Sequence, residues 1–274
     1  MVEIEVTRRR DRHARQLRSV GDYNACRAII TKKNKQLREK LAQKSQNSPF
    51  AANKIKHPYG TPMELHGYFR SSASYRVRIA LNLKGLEYEY QPVNLLNGDQ
   101  RSNDYRKLNP QGLVPALVDD GAVLTQSLAI MEWLDEKHPQ SPLLPSDIAA
   151  RARIRALAYN VACDIQPILN LRILKYIQSE LGASDAQKLT WIHHWIEMGF
   201  SALETQLLQT ATGPFAAGEN PGLFECCLIP QIYNAERFGM TLDAYPTIHR
   251  IAEACAVLPA FQRAHPENQP DSTL

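Results

Sequence analysis

Beyond Met63 the spacing of apolar residues changes period several times, and each change marks an element. Residues 65–69 read as a short strand. Residues 74–84 place Val77, Ala80, Leu81 and Leu83 at helical spacing and stop at Gly85, a residue suited to the left-handed turn that ends helices. Residues 88–93 read as a second strand, parallel to the first because a helix joins them. A polar stretch through Asn97-Gly98-Asp99 follows. Residues 117–119 and 123–124 flank the turn pair Asp120-Gly121, and 126–137 is helical again. Pro139, Pro142 and Pro145 then predict an extended linker. Past Asp147 the spacing is helical throughout, over 149–179, 186–209, 222–238 and 247–258, the last opened by Pro246. The pattern predicts a four-stranded α/β domain over 63–138, a linker over 139–148 and an all-α domain over 149–274.

Residues 1–62 lack this order. Arg8-Arg9-Arg10 and Lys32-Lys33 stand in polar surroundings, and the apolar face over 25–41 is thin. Charge separates this segment further. It carries 15 Lys/Arg against 5 Asp/Glu, whereas residues 63–274 carry 17 against 23. The leader therefore reads as a basic extension, disordered or partly helical, upstream of a natural start at Met63. An arm for nucleic acid or a membrane surface is the less favoured reading, since a charge run is usually a solvated one. The acidic body gives nucleic acid or anionic lipid nothing to bind. No apolar run approaches the roughly 20 residues of a membrane span, and the N-terminus has no apolar signal core. Cys26, Cys163, Cys226, Cys227 and Cys255 show neither C-x-x-C nor a metal-ligand spacing with His, so they read as reduced cytoplasmic thiols and no metal is expected. His193 and His194 are adjacent on a helix and diverge, and Trp191, Trp195 and Phe200 fit core packing.

Three places carry candidate chemistry. Ser71 and Ser72 sit where a strand gives way to a helix, where free backbone N–H groups and the helix dipole favour an anion. A thiolate is such an anion, and a Ser hydroxyl donating to it lowers the thiol's pKa. Taken alone, the pair reads as an ordinary helix cap. Val114-Pro115 opens the third strand. Most X–Pro bonds are trans, which is the expectation here, while a cis bond would turn the backbone of Val114 outward to pair with an extended peptide. Gln126-Ser127 opens the next helix, a second anion site or again a plain cap. Two anion-binding helix starts with a strand-edge Pro between them suit a short peptide bearing a thiol and a carboxylate, which is glutathione.

These stretches also carry a resemblance. Tyr68-Phe69-Arg70-Ser71-Ser72, Arg76-Val77-Arg78-Ile79-Ala80-Leu81, Leu108-Asn109-Pro110, Val114-Pro115, Gln126-Ser127-Leu128-Ala129-Ile130, Ile165-Gln166-Pro167, Cys227-Leu228-Ile229-Pro230-Gln231, Ala235-Glu236-Arg237-Phe238, Pro246-Thr247-Ile248 and Gln269-Pro270-Asp271 occur in order. With them, residues 63–272 resemble the zeta-class glutathione transferases, the family of maleylacetoacetate isomerase. The leader lies outside the resemblance.

The resemblance implies a thioredoxin-like glutathione-binding domain, an all-helical domain completing the substrate site, and a homodimer. It implies glutathione-dependent cis–trans isomerisation of maleylacetoacetate, a keto diacid of tyrosine and phenylalanine breakdown. Rival readings are maleylpyruvate isomerisation, a general transferase or dehalogenase, and an inactive glutathione-binding interaction protein. Ser71 is implied as the hydroxyl on the thiolate, with Ser72, Ala73, Ser74, Tyr75 and Arg76 at the same helix start. Val114 and Pro115 would meet the cysteinyl backbone, Gln126 and Ser127 the γ-glutamyl end, and Gln100 the glycyl end. Gln166, Asn170, Leu171 and Arg172 would lie near the ligand from the helical side. Arg70, Arg172 and Arg237 are implied for the substrate's carboxylates. Two departures stand out: Ala73 where the family often has Cys, and Gly222-Leu223-Phe224-Glu225 where it usually has Thr-x-x-Asp. The second predicts a helix that still forms, with a weaker cap.

Overall fold

A computed structural model describes residues 62–211 and 213–273. The basic extension expected over 1–62 lies, except for Pro62, outside the described residues.

The α/β part is built in the expected order. Strand β1 (Glu64–Gly67) leads to helix α1 (Ser72–Lys84) and to β2 (Glu89–Pro92). After a 3-10 turn (Asp99–Arg101) and a short helix α2 (Asn103–Leu108) come β3 (Ala116–Asp119), β4 (Ala122–Thr125) and α3 (Ser127–Lys137). The sheet order is β2-β1-β3-β4. β1 is parallel to β2, with Leu65 opposite Tyr90, and antiparallel to β3, with Leu65 opposite Leu117. β3 and β4 are antiparallel, with Ala116 opposite Thr125. That register gathers the end of β1, the start of β3 and the end of β4 at one edge, and α1 and α3 start from this edge.

The helical part comprises α4 (Ile148–Tyr159), a π-helical stretch (Asn160–Ile165), a 3-10 turn (Pro167–Leu169), α5 (Leu171–Ser179), α6 (Asp185–Thr210), α7 (Leu223–Arg237), α8 (Pro246–Ala256) and α9 (Pro259–Ala264). A last 3-10 turn spans Pro266–Asn268. The uninterrupted helical spacing read over 149–179 is therefore broken. Pro167 has no N–H to continue the ladder, and the side chain of Asn170 caps a new helix by accepting from Arg172 N–H at 3.1 Å. The short helices α2 and α9 lie below the length at which periodicity is readable. Helix α6, by contrast, opens on a full capping box between Ser184 and Gln187.

Helix α1 is the central element. Val77, Ile79, Ala80 and Leu81 are fully buried, and it packs against α7, α9 and α3. The site is thus set at the start of a largely buried helix. No helix of the described residues is long and apolar enough to cross a membrane.

Candidate active site

Ser71 is the N-cap of α1. Its Oγ accepts from Ser74 N–H at 3.2 Å, and its own N–H donates to Tyr68 O at 2.9 Å. The cap uses a lone pair only, so the hydroxyl proton stays available to donate outward. Ser72 and Ala73 are half-buried in the same turn. Ser74 and Tyr75 point elsewhere. Ser74 is buried and takes Tyr68 N–H on its Oγ at 3.4 Å, and Tyr75 packs edge-on against Tyr233 and His265.

Arg76 reaches back to the second helix start. It is 3% exposed and donates Nη1 to Ser127 Oγ at 3.1 Å, while its Nε and Nη2 are buried without partners. Burial holds this guanidinium below the ordinary arginine value, against the opposing influence of Cys227 and Cys163. Beside it Gln126 has a left-handed φ of 69° and ψ of 113°, and donates Nε2 to Gln111 Oε1 at 2.9 Å. Nothing in the identity of Gln announces this geometry, since positive φ ordinarily selects Gly or Asn.

The Val114–Pro115 peptide is cis, against the expectation from base frequency. Among the described residues neither the N–H nor the C=O of Val114 has a hydrogen-bond partner in the chain. The preceding carbonyl, Leu113 O, is held by Tyr105 Oη and Asn109 Nδ2, both at 2.7 Å. Gln100 lies across the same loop. A Cβ on Gly112 would fall 2.9 Å from Gln100 O, so Gly112, at φ 61°, admits the close approach, and Gln100 Oε1 is buried without a partner.

Arg70 follows directly on Phe69, with its guanidinium 5.0 Å from that ring and its Nε buried and unpartnered. Arg237, at the end of α7, lies 5.2 Å from the Phe238 ring and donates to Asn234 Oδ1 at 3.3 Å. Burial first, then the like charge of Arg70, hold Arg237 below its ordinary value, with Tyr233 and Tyr68 opposing. Among the described residues no carboxylate forms a salt bridge with either arginine. Tyr68 and Tyr233 were not singled out from sequence. The signal for Tyr233 is its i−4 spacing from Arg237, which puts both on one helical face.

Gln166, Asn170, Leu171 and Arg172 form one short run at the start of α5, with Leu171 and Arg172 exposed. The two adjacent histidines do diverge: His193 meets Phe238 O at 2.8 Å and His194 lies edge-on to Trp195.

A β-α-β unit, a cis-Pro strand entry and two helix starts at one sheet edge, followed by helices, define the architecture of a glutathione transferase. Residues 70–137 match the family described as glutathione S-transferase, N-terminal domain. The maleylacetoacetate isomerase of Pseudomonas aeruginosa is 50% identical over 213 residues, covering 77% of this chain and 99% of that one. A maleylpyruvate isomerase, described as a bacterial glutathione S-transferase of the zeta class in its holo form, superposes with a TM-score of 0.74 at 47% identity, covering 77% of this chain and 100% of that one. The maleylacetoacetate isomerase of Methylobacterium extorquens AM1, solved with malonate and glutathione bound, gives a TM-score of 0.74 at 42% identity over 77% and 100% of the two chains. The chain belongs to the zeta-class glutathione transferase family.

Proposed function

We propose that this protein is a glutathione-dependent cis–trans isomerase converting maleylacetoacetate to fumarylacetoacetate in the catabolism of tyrosine and phenylalanine. The observation that carries the reading is the placement of Arg70, with its Nε buried and unpartnered, one residue before the Ser71 cap; among the described residues neither it nor Arg237 forms a salt bridge with a carboxylate. Such a pair is built for a dianion.

The residues at the sheet edge fit glutathione. The free backbone groups of Val114 match a peptide's amide, and the orphaned nitrogens of Arg76 behind Ser127 match a carboxylate at the start of α3. Gln100 Oε1, buried without a partner, could accept from the glycyl amide N–H of the same peptide. When bound, glutathione supplies the sulfur nucleophile that adds to the cis double bond and departs after rotation. Ser71 would donate a hydrogen bond from its hydroxyl to that sulfur, and the N-terminus of α1 would favour the anionic form. Arg70 and Arg237, with Arg172 from α5, orient the carboxylates and oppose the charge that develops along the conjugated carbonyls. Residues 63–138 would hold glutathione, and 149–274 would close the substrate side. We assign the protein to a homodimer, as the family resemblance implies, and to the cytoplasm, as its free thiols Cys163, Cys226, Cys227 and Cys255 suggest.

The test is an isomerisation assay with maleylacetoacetate and maleylpyruvate side by side, with and without glutathione. Turnover of maleylacetoacetate that vanishes without glutathione is expected; a clear preference for maleylpyruvate would move the assignment to that reaction. Ser71→Ala is expected to lower kcat by about a hundredfold or more with glutathione still bound, the scale of removing one preorganised donor. Full activity in that variant would sink the role given to Ser71.

A further inference from the structure

The far end of the chain lies against the turn that presents Ser71. Asp271 Oδ2 accepts from Phe69 N–H at 3.0 Å and from Tyr90 Oη at 3.4 Å. Arg78, which is fully buried, holds the same turn from α1. It donates Nη2 to Phe69 O at 2.9 Å, Nη1 to Tyr68 O at 3.5 Å and Nε to Ala264 O at 3.0 Å. Both backbone groups of Phe69 are thus engaged, its N–H by the tail and its C=O by α1. Tyr68 O in turn takes Ser71 N–H. The tail's contact at Phe69 lies two positions before the Ser71 cap, with Arg70 alone between them.

The tail is itself anchored. Gln269 Nε2 donates to Arg263 O and His265 O, both at 2.9 Å, and Ser272 N–H donates to Gln269 O at 3.0 Å. Asp271 Oδ1 is buried without a partner. A buried carboxylate oxygen left unpaired costs stability, so packing alone does not account for an acid here, whereas a fixed acceptor for Phe69 N–H does.

We propose that Asp271 is a positioning residue for the reaction: its carboxylate fixes the Phe69 peptide and so aims the Ser71 hydroxyl and Arg70. The inference rests on the thiolate role given to Ser71. Val114, Gln126 and Ser127 lie off this turn, so glutathione should remain bound when Asp271 is changed while the sulfur is less well held. Displacements of a fraction of an ångström at reacting groups are enough to matter.

The experiment compares the full chain with Asp271→Ala and Asp271→Asn. It measures kcat, the KM for glutathione, the thermal midpoint, and the ultraviolet titration of the bound thiol to thiolate. Asp271→Ala is expected to lower kcat by about tenfold or more, to raise the bound thiol's titration point, and to leave the KM for glutathione little changed. Asp271→Asn keeps an oxygen for Phe69 N–H and is expected to recover most of both properties. Wild-type kcat and titration in Asp271→Ala, even with a lowered thermal midpoint, would show a structural role only and overturn the proposal. An Asn variant as impaired as Ala would overturn it too, since charge rather than the hydrogen bond would then be at work. A thiol that titrates normally on the unmodified protein would remove the Ser71 reading itself, and the proposal with it. Should Asp271→Ala fail to fold, Asp271→Ser, whose shorter side chain does not reach Phe69 N–H, takes its place and is expected to show the same losses against Asp271→Asn; unmodified kcat and titration in it would overturn the proposal.

Discussion

Arg70 and Arg237 repel each other, and burial adds to the cost of keeping Arg237 charged. In the proposed reaction the anionic groups of the substrate would relieve that cost, which would suit the two arginines to a dicarboxylate. Arg237→Lys keeps the charge but loses the planar fork. It is expected to raise the KM for the diacid and cut kcat/KM by about tenfold, the scale of a charge-assisted hydrogen bond. Glutathione affinity, read by calorimetry, is expected to stay as it was. An unchanged KM for the diacid would remove Arg237 from the substrate's carboxylates. At this scale Ser71 was legible because a hydroxyl at a strand–helix junction has a local geometric consequence. Gln126 gave no such sign, as Gln rarely adopts positive φ. Asp271 was invisible as a partner because 202 residues separate it from Phe69. Tyr75 and Ser74 sit in the right run of sequence, yet helical rotation turns them into the core.

Helix starts and stops obey local chemistry, and that is why the element order could be read so far. Gly85 closes α1 at φ 67° as a helix-ending glycine should. The opening of α7 shows where local chemistry stops being sufficient. Gly222 has no side chain to cap the helix, so the capping box is half made: Glu225 accepts from Gly222 N–H and from Ala216 N–H, both at 2.8 Å. Sequence reasoning marks Gly222 as a weak cap to be improved. The structure gives the opposite instruction, because a Cβ there would fall 2.3 Å from Leu143 O. Gly222→Thr is therefore expected to destabilise the fold by about 1–3 kcal/mol, as overpacking does, despite the better capping residue. Urea unfolding measures it. A midpoint at or above that of the unmodified chain would mean that the linker carbonyl moves aside freely.

That same carbonyl belongs to a set of contacts that joins the two parts of the molecule. Leu223 N–H donates to Leu143 O at 2.9 Å, and Leu143 N–H donates to Asp135 Oδ1 at 2.7 Å. Asp135 Oδ1 also receives Lys84 Nζ at 2.7 Å, and the lysine satisfies its other protons on His138 O at 3.0 Å and Ser141 O at 2.9 Å. Lys84, at the C-terminal end of α1 where a cation suits the dipole, thus ties α1 through the Pro-rich stretch to α7, the helix it packs against. A linker that reads as a spacer in the sequence is, in the fold, a seam anchored by two enclosed residues, Leu143 and Leu144, between exposed ends. Composition could mark its prolines but not the lysine reaching it from 57 residues upstream. Lys84→Met leaves Asp135 and two carbonyls without their donor, and removing one partner of a buried pair costs about 3–5 kcal/mol. The expected outcome is a lower urea midpoint with one cooperative transition, because α1 and α7 still share a core. Asp135→Leu added to Lys84→Met should recover part of the loss, as the uncompensated acid is then gone. If Lys84→Met alone unfolds at the original midpoint, the seam is held by apolar packing and the lysine is incidental to it.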